Sequence, residues 1–158
     1  TYSSACPCSA ALSRQTLKER FEEDFSDHQA ISLSHVANWL QTREATSSVP
    51  HSQRSHADLT VVVEKADESL LEELIDQVEE TLGTAVQAAV KREDEQEFAA
   101  LNGANLMFCE DAARRICSLL DEDKGFRDYR IEVRHMESLH PHDAVAITTK
   151  GVEGGLRP

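Results

Sequence analysis

The stretch from Asp58 to Gly83 constrains the fold more than any other part of the chain. Residues 58–64, DLTVVVE, are short and rich in β-branched side chains, which suit a pleated surface, so they read as a strand. Residues 67–83, DESLLEELIDQVEETLG, follow with a different period. Leu70, Leu71, Leu74, Ile75, Val78 and Leu82 fall on one helical stripe, and Gly83 stands where a left-handed C-cap belongs. Such a stripe must be buried against another layer, and the adjacent strand makes a sheet the natural partner.

The rest of the chain extends this pattern. Residues 104–123, ANLMFCEDAARRICSLLDED, predict an amphipathic helix with Phe108, Ala112, Ile116 and Leu119 or Leu120 inward. YRIEVRHMES and DAVAITTK, starting at Tyr129 and Asp143, read as two strands joined through LHPH. Residues 84–103 are expected to start helical and then become an acidic loop. At the other end, TYSS reads as the tail of a strand whose beginning lies outside the sequence. SRQTLKERFEEDF predicts a helix capped by Ser13, with Leu17, Phe21 and Phe25 on one face. SLSHVANWLQTR predicts a second short helix with Leu33, Val36, Ala37 and Leu40 on one side, and TREATSSVPHSQRSH a loop broken by Pro50. The order becomes ββααββ, an α+β fold with an antiparallel sheet and two helices on one face. Residues 1–158 then form one N-terminally truncated module, with residues 10–50 as a helical and loop insertion after the first strand.

Charge narrows the function classes. The 158 residues carry a net charge of −13, which argues against a nucleic-acid groove or a membrane surface as the main partner. A small anionic substrate would need a local cluster of cations. No run approaches the roughly 18 apolar residues of a membrane span. Cys6, Cys8, Cys109 and Cys117 do not form the dense framework of a small secreted domain, and they point to a reducing compartment.

Side chains able to carry chemistry gather at the ends of the expected elements, where sites are usually built. CPCS (6–9) offers Cys6, a thiolate ligand for zinc or another borderline metal, or a small buried apolar residue. HSQRS (51–55) offers His51 and Arg54 in a loop. KREDE (91–95) is a charge run, the usual mark of a solvated face. FCED (108–111) opens a helix, where Glu110 and Asp111 favour the positive end of the dipole. A carboxylate there also offers two adjacent acceptors to two adjacent N–H donors on a planar base. ESLHPHDA (137–144) places Glu137 and His140 three apart at a strand end, able to converge on one cation if the backbone turns, or simply forming a polar hairpin loop.

Taken together and in this order, the five stretches resemble the GTP cyclohydrolases of type IB. The resemblance implies the tunnelling fold, in which identical modules assemble into a barrel-like homo-oligomer, with a tetramer the first expectation and sites at module or subunit interfaces. It implies conversion of GTP and water to 7,8-dihydroneopterin triphosphate and formate, the first step toward tetrahydrofolate, in the cytoplasm. It implies a divalent metal, zinc first and manganese or iron next, held by Cys6, Glu95, Glu137 and His140. Cys6, His51 and His140 take the catalytic roles, Glu110 anchors the guanine ring, and Arg54, Lys91 and Arg92 meet the triphosphate. Three features depart from the family pattern: a long link from CPCS to HSQRS, Cys109 where a Val is more usual, and HPH in place of HNH.

Two other readings compete. A non-catalytic module binding a purine or pterin needs Glu110 but has no use for Cys6, Glu95 and His140 together. A redox or zinc-structural protein built on Cys6 and Cys8 needs two further ligands nearby, and Cys109 and Cys117 lie eight apart on an expected helix, which does not suit one closed site.

Overall fold

The computed structural model describes every residue except 47, 67 and 88. The first residue of the helix expected over 67–83 therefore lies outside the described residues, as does one position in each of the stretches 42–56 and 84–103. In chain order the elements are β1 (Tyr2–Ala5), α1 (Pro7–Asp24), α2 (Leu33–Trp39), β2 (Ser52–Val63), α3 (Leu70–Leu82), α4 (Arg92–Ala104), α5 (Cys109–Glu122), β3 (Phe126–His135) and β4 (Ala144–Thr149). They divide into two compact units, Thr1–Ala5 with Ser52–Pro158, and Cys6–His51.

The larger unit holds a four-stranded sheet in the order β1-β2-β3-β4, with every neighbouring pair antiparallel. Strand residues alternate between the two faces. The register sets Ala57 opposite Val133, Leu59 opposite Ile131 and Val61 opposite Tyr129, so these six share one face. Against them pack Leu74 and Leu82 of α3 and Ala112, Ile116 and Leu120 of α5. This is the core of an α+β fold.

Several expectations are corrected. β2 begins at Ser52, not at residue 58, because its first half alternates polar residues: Gln53 and Ser55 are buried while Ser52 and Arg54 are exposed. A hydroxyl or amide facing inward carries the strand period without an apolar signal. The acidic loop expected after Lys91 is the helix α4, so three helices separate β2 from β3 instead of two. Glu93, Asp94 and Glu95 fill its first turn, where acids favour the helix dipole, and the Lys91 backbone N–H donates to Asp94 at 3.1 Å. The described residues among 84–91 precede it without helix. α5 starts at Cys109 with Phe108 as N-cap, which turns Cys109 inward, leaves Phe108 exposed and buries Leu120. On α3 the stripe is narrower than its sequence, since Leu71 and Ile75 are exposed. Gly83 does cap α3, with a φ of 74° that a side chain would strain.

In the smaller unit α1 starts at Pro7 with Cys6 as N-cap, because proline is pre-set for a helix's first position. Ser13 is thus inside the helix, its hydroxyl donating to the Ser9 carbonyl at 2.7 Å. On α2 the inward residue is Trp39, while Leu33 and Leu40 are exposed. The Trp39 ring meets Phe21 and Phe25 edge-on at centroid distances of 5.3 and 5.8 Å, and its indole N–H donates to Asp24 at 2.7 Å. No helix among the described residues is long and apolar enough to cross a membrane.

Burial gives a direct check on the stripe. Ile131 is fully buried at the centre of the sheet and Leu71 is 70% exposed. Ile131→Ala is expected to lower the unfolding free energy by about 2–5 kcal/mol. Leu71→Ala is expected to change it by less than about 0.5 kcal/mol, both read from urea denaturation.

Candidate active site

The helix-facing side of the sheet turns polar at one end. Continuing the two-residue alternation past Val133 brings His135 inward, and across the strands it meets Ser55, Tyr2 and Ser4. The Tyr2 hydroxyl is hydrogen-bonded to His135 Nε2 at 2.8 Å, and Ser4 Oγ lies 3.3 Å from His135 Nδ1 and 2.8 Å from Ser55 Oγ. Buried polar groups are tolerated when they are hydrogen-bonded, and these four side chains partner one another. Burial holds the His135 imidazolium form down against the opposing pull of Glu137, Glu110 and Asp111. Burial likewise pushes the Tyr2 phenol well above its ordinary range, so it stays protonated.

Around this cluster stand several of the residues singled out from sequence. Glu137 follows β3 and is half-buried. Its Oε1 accepts a hydrogen bond from the amide of buried Gln53 at 2.8 Å. The Glu137 backbone N–H donates to Asp143 at 3.2 Å, and the Met136 N–H donates to the Arg54 carbonyl at 3.0 Å. The loop after β3 is thereby tied to the start of β2. His140 and His142 are exposed in that loop, with their rings stacked at 5.7 Å.

Glu110 is the second residue of α5. Its Oε2 accepts from the Cys109 thiol at 3.3 Å. Its own backbone N–H, and then this thiol, hold its carboxyl below the ordinary value. Asp111 is lowered too, first by the Phe108 N–H, which donates to it at 3.0 Å, and it also pairs with Arg114. Burial, followed by the Glu110 carboxylate, pushes the Cys109 thiol up to about 11, which keeps it a donor.

The remaining residues take no part in the hydrogen bonds given above for this cluster. Lys91, Arg92 and Glu95 are exposed around the first turn of α4, where Glu95 lines a depression with Ser3, Phe98 and Asn102. Arg54 is exposed on the face of β2 opposite to Gln53 and Ser55. Cys6 and His51 belong to the smaller unit, where the Cys6 backbone N–H donates to the His51 carbonyl at 3.3 Å and the His51 N–H to Ser9 Oγ at 3.2 Å. Cys6 is half-buried, Cys8 is exposed, and all four cysteines are free. Among the described residues no group of three or more His, Cys, Asp or Glu is arranged to hold a metal ion.

The residues missed in the sequence are Tyr2, Ser4, Ser55 and His135. Their signal was the strand period itself, since His135 continues Tyr129, Ile131 and Val133, and Ser55 continues Ala57 and Leu59.

Because the folded His135 takes up its proton below its ordinary value of 6.5, its contribution to stability is complete above that value. It is lost as the pH falls toward the folded-state value, since the unfolded chain is protonated first. Unfolding free energies measured between about pH 7.5 and about pH 5.5 are expected to fall with pH, and less steeply in His135→Gln. Equal slopes in the two proteins would assign the acid loss to other groups.

Comparison with known proteins identifies the setting of this cluster. The family model described as Type I GTP cyclohydrolase folE2 matches residues 1–146. A protein from Hydrogenovibrio crunogenus named GTP cyclohydrolase FolE2 is 53% identical over 154 residues, covering 98% of this chain and 49% of its own. A protein of the same name from Pseudoalteromonas translucida is 53% identical over 161 residues, covering 99% and 52%. One from Pseudomonas putida is 57% identical over 147 residues, covering 92% and 45%. The chain spans about half the length of the curated relatives it matches. With the family match running through both units and past the loop that holds Glu137 and His140, the chain belongs to the type I GTP cyclohydrolase FolE2 family.

Proposed function

We propose that the intact protein is a type IB GTP cyclohydrolase, a hydrolase that converts GTP and water to 7,8-dihydroneopterin triphosphate and formate for tetrahydrofolate synthesis. The observation that carries this reading is the 53% identity, over 98% of the chain, to a relative named GTP cyclohydrolase FolE2. The α+β sheet with helices on one face is compatible with a tunnelling-fold module, and we attach to it a homo-oligomer, a tetramer first, with sites at module or subunit interfaces. A cytoplasmic location completes the reading.

The chemistry suits the side chains. Guanine presents two adjacent N–H donors, and an ionised carboxylate is an acceptor-only group with two oxygens to meet them. Glu110, held ionised at the start of α5, takes that role. Arg54, Lys91 and Arg92 serve the triphosphate, which an overall charge of −13 would otherwise repel. His51 and His140 are the groups for proton transfer to the opening imidazole ring, since an imidazole can both accept and donate a proton. Cys6, Glu95, Glu137 and His140 are the donor types that suit zinc, with manganese or iron next. Their chemistry fits a dication, although the described residues of one chain do not gather them into one centre. When bound, such an ion makes a water more acidic and available for attack.

The intact gene product, purified metal-free and resupplied with zinc or manganese, is expected to release formate from GTP. It is also expected to give pterin fluorescence after oxidation. Cys6→Ala and His140→Ala are expected to abolish turnover with unchanged circular dichroism. GTP binding without turnover under any metal would instead make the protein a purine-binding module, and full activity in either variant would remove that residue from the site.

A further inference from the structure

Adjacent residues on a helix point about 100° apart and do not normally face each other. Cys109 and Glu110 are adjacent at the start of α5, yet their side chains touch. Cys109 is 4% exposed and belongs to the hydrophobic core, while Glu110 is exposed, so the contact joins a buried thiol to a carboxylate at the surface. A free glutamate on a helix surface would sample many rotamers, and ordering it costs side-chain entropy. Here the Cys109 thiol donates to the carboxylate at 3.3 Å.

We propose that Cys109 is a positioning residue for nucleobase recognition: its buried thiol donates to Glu110 Oε2 and fixes the carboxylate in the rotamer that meets the guanine edge. This rests on the reading of Glu110 as the guanine anchor. A carboxylate has about four lone-pair sites. The thiol uses one of them on Oε2, leaving sites on both oxygens for the ring N–H and the exocyclic amino group of the base. A valine here would fill the same space but donate nothing, so the thiol adds orientation without added volume. The thiol remains protonated across the working range, because burial and the neighbouring carboxylate push it up to about 11.

The test uses the intact protein in steady state with GTP and with inosine triphosphate, which lacks the exocyclic amino group. Cys109→Val is expected to raise KM for GTP about three- to tenfold, the scale of one modest hydrogen bond, with kcat unchanged. It is expected to narrow the preference for GTP over inosine triphosphate as well. Cys109→Ser restores a donor and is expected to return both values toward the parent. Cys109→Ala guards against a packing effect: the same KM as Cys109→Val, whatever the difference in stability, supports positioning, whereas a KM raised in Cys109→Ala alone assigns the effect to packing and overturns the proposal. Glu110→Ala separates the two ideas. If it raises KM and erases the base preference while Cys109→Val matches the parent, the anchor stands and the thiol is only packing. If Glu110→Ala leaves both unchanged, the anchor reading falls and the proposal with it.

Discussion

The register between β2 and β3 is the constraint on which the rest of the larger unit depends. It sets Ser55 opposite His135 and Leu59 opposite Ile131, while the pairing of β1 with β2 sets Tyr2 opposite Ser55. One face of the same sheet is therefore apolar along most of its length and polar at one end. The apolar part receives α3 and α5. The polar part closes on itself, through a hydrogen bond from β1 to β3 that spans the strand between them. A slip of one residue would turn His135 to the opposite face and leave Tyr2 buried without its partner.

That division positions the candidate chemistry. α5 begins above the polar end, so Cys109 is the point where core packing meets the first ionised carboxylate. The loop after β3 leaves from the same end and is tied back by Gln53 through Glu137. Both carboxylates are held by donors from buried side chains, which is how a rigid scaffold sets the direction of an otherwise mobile acid. Each also lies close enough to His135 to oppose the effect of its burial.

Much of this was legible in the sequence. The stripe of α3, the inward residues Ala112 and Ile116 of α5, and the alternation of β3 and β4 all follow from periodic burial against one layer. The first half of β2 was not legible, because Gln53 and Ser55 face inward without being apolar. α4 was hidden for a related reason: its charges read as a solvated run, and acids at a helix start carry no apolar period. The start of α1 was hidden by the pairing of Cys6 with Pro7, where a metal clip and a helix start look alike.

The sequence by itself determined most kinds of element, α4 and the first half of β2 excepted, together with the antiparallel α+β arrangement and the ordered motifs from CPCS to ESLHPHDA, since local periodicity and residue chemistry are written along the chain. Only the tertiary structure decided which members of each stripe are buried, as with Leu74 in and Leu71 out. It alone decided that Arg54 and Gln53 leave β2 on opposite faces. It alone closed Tyr2 onto His135 across 133 positions of chain and set Glu110 in contact with its neighbour's thiol. The first joins groups that no local period relates, and it exists only once strand register has brought them within hydrogen-bond reach.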